Sequence, residues 1–494
     1  MLAVFYAMLC ACAAGASAAG SAEPAFDAAD IQANIDVLQH AYEALHPGLY
    51  RYNTPQTMRD HFATLRAALD GRRTLTQTYL ALSEFAAKVR CGHTYANFYN
   101  QPESIQAALF EGHNRVPFEF RWLDGRMFVT RDLTGRRLLP RGSEILAITG
   151  VKPSDILARL LPVARADGSN DAKRVAQLQV QGDDRYETFD VFLPLYFPQI
   201  QTEQRLTLRT PRGTVRTHVV QALSDAQRQG FRRLKADDRT GGFALHFERR
   251  TAVLTMPSWV FYNSTWDWQA FIRRSFEEIA RMRATSLVID LRGNEGGVDV
   301  GDAILPHLID SPLTVFDPPR LVRYRRVPGD LTPLLDTWDS SFKDWGDDAQ
   351  PYDARFYRLR DEQKSIGPRR IEPAAPRFRG RVFVLVGATN SSATFQFAQQ
   401  VQVAGVATLV GQTTGGNRRG INGGAFFFLR LPHTQIEMDV PLIARFPEDD
   451  PPDAGVVPDI QVTPTPLDIA AGTDVEMAAV RAAIRASRRG TDTP

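Results

Sequence analysis

The chain has 494 residues, too many for one hydrophobic core, so two or three domains are expected. Its 58 basic and 56 acidic residues leave a net charge of +2, which supplies no field to hold nucleic acid or an anionic membrane. The three cysteines are Cys10, Cys12 and Cys91, and the first two fall in a leader; no internal disulfide and no multi-cysteine zinc site is expected in the mature chain.

The leader comes first. Leu2–Ala14 is an apolar run, followed by the small residues Gly15–Ala16–Ser17–Ala18–Ala19. Residues 1–20 therefore read as a secretory signal, too short for a stable membrane span, although the usual basic residues before the apolar run are missing. The alternative is a lipoprotein anchored at Cys12, which Cys10 and Ala11 before it fit poorly. Export to the periplasm or the outside of the cell is the expectation, with no membrane span.

Residues 27–110 form the expected helical N-terminal domain. Ile31, Ile35, Val37, Leu38 and Tyr42 recur at helical spacing, as do Phe62, Leu65 and Leu69, and then Leu80, Leu82, Phe85 and Ala86; His46–Pro47–Gly48 breaks the first run. Residues 115–235 are β-rich. Val116–Phe120 alternates, and Met127–Thr130 follows an Asp124–Gly125 turn. The glycine turn, strand and turn of Pro140–Gly150, with a helix at Pro153–Leu161, resemble the core of a PDZ module, which holds peptide tails by strand addition. An ordinary strand–turn–helix is the other reading.

From 243 to 470 the rhythm becomes strand, helix, strand. Thr251–Met256, Ser286–Asp290, Val382–Val386 and Ala407–Val410 read as buried strands, with helices at Trp266–Met282 and near Thr394–Val403. The pattern predicts an α/β core with parallel strands covered on both faces. Residues 312–378, rich in proline, charge and tryptophan, read as an insertion able to cover an active site. A C-terminal helix and tail occupy 471–494.

Two segments carry chemistry. Asp290–Leu291–Arg292–Gly293–Asn294–Glu295–Gly296–Gly297 lies where a buried strand ends, the place ligands gather in open α/β sheets. Its glycines free backbone N–H groups to face a ligand, and it has neither the lysine of a P-loop nor dinucleotide spacing. In Val384–Ala398 a strand ends, Asn390–Ser391–Ser392 turns the chain, and a helix begins. A serine there gains from the positive helix end; alternatively Ser391 or Ser392 is an N-cap.

Together these segments resemble the carboxyl-terminal processing (tail-specific) protease family. Leu409–Val410–Gly411–Gln412–Thr413–Thr414–Gly415–Gly416 is similar to its Val–Gly–Glu–x–Thr–x–Gly turn, and Gly455–Val456–Val457–Pro458–Asp459–Ile460 to its closing motif. The resemblance implies a crotonase-like α/β protease core and makes Ser392 the nucleophile. It implies an oxyanion hole from the N–H of Ala393 and from the glycine pair, Gly296 first and Gly297 second, because acyl transfer develops a negative oxygen.

Many members use a lysine base in the turn where this chain has Asn417. No lysine follows Lys364, and Arg418 and Arg419 cannot deprotonate. The tricorn-type branch, with a histidine from an N-terminal region, resembles the chain better. Arg90–Cys91–Gly92–His93–Thr94 is similar to its Asp–Gly–His–Thr segment, which makes His93 the base, titrating at roughly pH 6–7. For the orienting acid the expectation is Asp453, with Asp450 second and Glu448 also near; a solvated acidic loop is the bland alternative.

The reading is an exported serine peptidase that hydrolyses protein or peptide substrates through an acyl-enzyme, with no metal, nucleotide or redox cofactor implied. A non-catalytic protein binding peptides or hydrophobic ligands on the same scaffold is the rival. For the leader, mass spectrometry of protein from its native cell is expected to find an N-terminus near Ala19 or Gly20. A lipid-modified Cys12 or an intact Met1 would contradict simple cleavage.

Overall fold

Strands made of unbroken apolar residues must be covered on both faces, and the central sheet is built of these. Leu287, Val288 and Ile289 are fully buried, as are Val384 and Leu385. The computed structural model describes residues 23–490 except 234–239, 241, 263, 316 and 361–368, so the leader lies outside the described residues. In spatial order the sheet runs Ile460–Gln461, Thr408–Gly411, Arg381–Val386, Ser286–Asp290, Thr251–Thr255 and Ala244–Glu248. All neighbours are parallel except the last pair, a hairpin. Helices Trp268–Arg281 and Ser392–Val403 pack their apolar faces, including Ile272, Phe276, Phe397 and Val401, into one core with Leu287, Ile289 and Val384. The fold is thus the α/β class expected of the sequence.

A second six-stranded sheet is antiparallel. It is built on the long hairpin Ile421–Arg430 and Glu437–Arg445. A bulge between Gly423 and Phe426 resets the alternation, so Phe427 and Leu429 enter the core while Phe426 and Phe428 stay partly exposed. The segment read as an insertion, 312–378, supplies the other four strands of this sheet: Leu335–Asp336, Arg320–Val322, Tyr357–Leu359 and Ala349–Pro351. These are two or three residues long and pair with the hairpin or with each other. The segment is therefore part of the framework rather than an appended cover.

Between Phe118 and Gln221 five strands form an antiparallel meander, with helices Pro153–Leu160, Asp171–Gln177 and Thr188–Tyr196 inserted between its third and fourth strands. Its likeness to a PDZ module rests on the sequence alone. Ahead of it lie helices Ala28–Leu45, Pro55–Ala68 and Leu75–Lys88. Thr54 caps the second, and Thr74 with Gln77 forms a capping box on the third. One hydrophobic cluster runs from these helices (Leu38, Tyr42, Phe85) through the meander (Phe118, Phe120) to the hairpin (Phe427, Val440). The helical and β-rich segments therefore share a core with the hairpin.

That shared core fixes where residues 91–101 run. Asp439 N donates to Tyr95 O at 3.0 Å, and Gln101 exchanges two hydrogen bonds with the backbone of Glu437. Asn97 donates to the Asp439 carboxylate at 2.7 Å. The chain around His93 is thereby sewn to a hairpin more than 300 positions away in sequence, as the separation of 342 between Asn97 and Asp439 shows.

Candidate active site

Two loops at the carboxyl ends of neighbouring parallel strands are tied together by asparagine side chains. Asn294 donates to Met256 O at 2.7 Å and accepts from Gly296 N at 2.9 Å. Asn390 donates to Leu291 O and Asn294 O at 2.6 and 2.8 Å and accepts from Gly387 N. Thr394 Oγ1 donates toward Asn294 O at 3.0 Å. The buried Asn390 amide thus spans the gap between the loops, while Asn294 ties the glycine loop to Met256 beside it. At the foot of the first loop Arg292 pairs with Asp290, Asp474 and Glu476, anchoring the C-terminal helix Val475–Gly490.

Ser392 is the first residue of its helix, and its φ is +51°. A serine in the left-handed region carries strain of about 1–2 kcal/mol, which the surrounding ties must hold. Gly296 backs directly onto it. A Cβ on Gly296 would lie 2.8 Å from Ser392 Cβ, 2.8 Å from Ser391 O and 3.0 Å from Ala393 N, so only glycine permits this approach.

The two glycine donors expected from the sequence differ in their partners. Gly296 N is occupied by Asn294 Oδ1. Gly297 N makes no hydrogen bond among the described residues, and its φ of +140° is fixed by Trp259 O, which a Cβ would approach to 2.0 Å. Ala393 N, in the first helical turn, has no intrahelical acceptor. Gly297 N and Ala393 N therefore have no hydrogen-bond acceptor among the described residues.

Ser391, the N-cap by position, does not cap with its side chain. Its hydroxyl donates to Glu295 O at 3.1 Å and accepts from Lys173 Nζ at 2.8 Å. Lys173 is buried, and its Nζ also lies 3.7 Å from Glu295 Oε2. Burial pulls its ammonium below the ordinary range, with Glu295 opposing. Burial would raise the Glu295 carboxyl, but Lys173 and Arg165 outweigh it and hold it below the ordinary value.

His93 stands against Phe426, with ring centroids 5.8 Å apart, and a Cβ on Gly423 would lie 4.0 Å from its Cε1. Its Nδ1 is buried without a hydrogen-bond partner. Burial lowers its pKa to about 4; Asp167 and Glu295 raise it, and Lys173 and Arg165 lower it. The range of 6–7 expected from an unperturbed imidazole is therefore too high, because the ring is desolvated. The turn holding it is pinned by the strap 165–170: Gly92 N donates to Asp167 Oδ1 at 3.2 Å, Arg165 donates to Gly92 O at 2.9 Å, and Gly168 N donates to Arg90 O at 2.9 Å.

Asp453 does not bond to His93. Its Oδ1 accepts from Ser169 N at 3.0 Å and from Asn417 Nδ2 at 2.6 Å, and its Oδ2 accepts from Ser169 Oγ at 2.9 Å. It holds the strap to the 413–417 turn. Asp450 pairs at 3.6 Å with Arg419. The carboxylates that act on the imidazole are Asp167 and Glu295, neither chosen from sequence. Glu295 was in plain view within the glycine loop; Asp167 and Lys173 carried no pattern that marked them.

Residues 250–462 match the model of peptidase family S41. No curated protein matches the chain. Among solved structures, the fold is similar to that of mature CPAF complexed with lactacystin, at 16% identity and a TM-score of 0.59, covering 90% of this chain and 95% of that one. It is similar also to mature CPAF in a second structure, at 15% identity and 0.58, covering 90% and 94%. At these identities the likeness is one of fold. The family match begins after His93, Asp167 and Lys173, whereas the fold match spans nearly the whole chain.

The strain at position 392 is measurable. Ser392→Gly is expected to be more stable than Ser392→Ala by about 1 kcal/mol in denaturant unfolding, because glycine adopts the left-handed region without a Cβ clash. A Ser392→Gly variant less stable than Ser392→Ala would mean that the residue is not held at positive φ.

Proposed function

The chain belongs to peptidase family S41 and is a serine peptidase, and from that premise we propose that it cleaves protein or peptide substrates through an acyl-enzyme on Ser392, with His93 as the base. The observation that carries this reading is the strained Ser392 at a helix start, with two unbonded N–H groups, Gly297 and Ala393, beside it.

The steps follow from these positions. Ser392 Oγ attacks the scissile carbonyl as His93 takes its proton. The carbonyl oxygen becomes negative, and the N–H groups of Gly297 and Ala393 donate to it; fixed dipoles in a partly buried site stabilise it without reorganising. Protonated His93 then gives its proton to the departing amine, and water, deprotonated by the same ring, releases the acyl group. A histidine base on this chain is supported by the absence of any lysine after Lys364 and by the charges gathered on His93. We assign Asp167 rather than Asp453 as the acid nearest this ring, because Asp453 has both oxygens committed elsewhere. The protein acts after export, its leader removed, where its substrates are other exported proteins or peptides.

A fluorophosphonate probe is expected to label the wild-type chain at Ser392. Ser392→Ala should abolish labelling with a nearly unchanged Tm, and His93→Gln should slow it by about 10²–10⁴-fold. His46→Gln and His113→Gln should retain labelling, provided they fold. Because the neutral imidazole is the active form, the rate should fall as pH drops through about 4, where His93 takes up its proton. Labelling of Ser391, or a His93→Gln variant as fast as wild type, would overturn the assignment.

A further inference from the structure

The serine turn and the glycine loop must keep a fixed separation for Gly297 N and Ala393 N to meet one oxygen. The asparagine ties hold the backbones, but one side chain from outside the family-matched segment also spans the two loops. Lys173 lies on the short helix Asp171–Gln177, which is inserted in the meander. Its Nζ donates to Ser391 Oγ at 2.8 Å and pairs with Glu295 at 3.7 Å. Ser391 Oγ in turn donates to Glu295 O, closing a ring of three residues immediately before Ser392 and before Gly296.

The helix is held in place from the opposite side. Asn170 accepts from Lys173 N at 3.2 Å and donates to Thr414 O at 2.9 Å and Gly416 O at 3.3 Å. The lysine stem passes against Gly415, where a Cβ would lie 2.9 Å from Lys173 Cδ. A lysine so enclosed, with only 2% of its surface exposed, loses hydration that surface lysines keep. It is retained where its charge has a partner, and its partners here belong to both loops of the site.

Resting on the peptidase reading above, we propose that Lys173 is a positioning residue for the reaction: its ammonium clamps the glycine loop to the serine turn through Glu295 and Ser391, and so sets the positive charge it shares with Arg165 in the region of His93. Beyond burial, which lowers its pKa most, Asp167 and Glu295 favour protonation of the imidazole, and Lys173 and Arg165 oppose it. The anions and cations balance in number. Removing Lys173 leaves two anions against one cation, so the ring holds its proton to higher pH. Removing Glu295 together with Lys173 restores one anion against one cation.

The test uses the full chain and the second-order rate of fluorophosphonate labelling as a function of pH. Lys173→Met, close in length and uncharged, should slow labelling about tenfold or more and move the acid limb upward by about one unit. Lys173→Met with Glu295→Gln should return the limb toward the wild-type position while the rate stays low, because the clamp is still missing. The double variant also removes the uncompensated carboxylate, so it keeps the test available if the single variant folds poorly. A limb that does not move in Lys173→Met, or that moves equally in the double variant, would overturn the proposal, since a purely structural lysine would not distinguish them. Complete loss of labelling in a folded Lys173→Met, with His93→Gln as fast as wild type, would make the lysine itself the base and would overturn it too. If wild-type labelling is absent from Ser392, the peptidase mechanism fails first; if Ser392 and His93 behave as assigned and the limb alone stays fixed, only this inference fails.

Discussion

Residues 165–173 bond to the turn that carries His93, to Asp453, to the 413–417 turn and to the serine turn. Arg165 and Asp167 hold the turn before His93 by its backbone. Ser169 takes both oxygens of Asp453, and Asn170 takes the carbonyls of the 413–417 turn. Lys173 reaches the serine turn. The contacts are charge-assisted or made by buried amides, the stronger classes of hydrogen bond. Without this strap the shared core, Asn422 on Cys91 and Gly416 N on Asn390 O would still join the two sides, but the charged ties to the turn before His93 and to the serine turn would be lost.

The division of labour explains why the family-matched segment is not a self-sufficient site. Residues 250–462 contain the serine, the two N–H donors and the loops that space them. His93, the proposed base, and three of the charged groups that act on it (Asp167, Lys173 and Arg165) come from residues 93–173. The two parts meet because the N-terminal helices, the meander and the hairpin Ile421–Arg430 with Glu437–Arg445 bury one continuous core. Packing far from Ser392 therefore enters the chemistry: a shift of the hairpin moves Phe426 and Gly423, which wall the imidazole, and through Asp439 moves the 95–101 segment as well.

What could be read from the sequence was what steric necessity fixes locally. Gly296 and Gly297 of the first loop and the glycines of the 411–416 turn are written into the motifs because a Cβ would strike neighbouring atoms there, as at Gly297 against Trp259 O and Gly416 against Phe395. The parallel core followed from unbroken apolar strands. Lys173 was illegible because its partner is 218 positions away and its helix is only seven residues long, too short for a periodic signal. Asp453 was chosen by its offset from Gly455, but offset does not say which way a carboxylate points, and this one turns to the strap. The strands of 320–359 were missed because three-residue strands leave no alternation to detect. The motif singles out His93 as a candidate but says nothing of its lowered pKa, since burial is a property of the fold.

The central claim is that Ser392, His93 and the two N–H groups converge on one reacting centre. A crystal structure of the fluorophosphonate adduct tests it directly, because the phosphoryl oxygen stands where the oxyanion would form. The account predicts phosphorus bonded to Ser392 Oγ, the phosphoryl oxygen about 2.7–3.1 Å from both Gly297 N and Ala393 N, and a nitrogen of His93 within about 3 Å of Oγ or of the adduct. Phosphorus on Ser391, an oxygen pointing to solvent, or an imidazole with Lys173 in its place would contradict it.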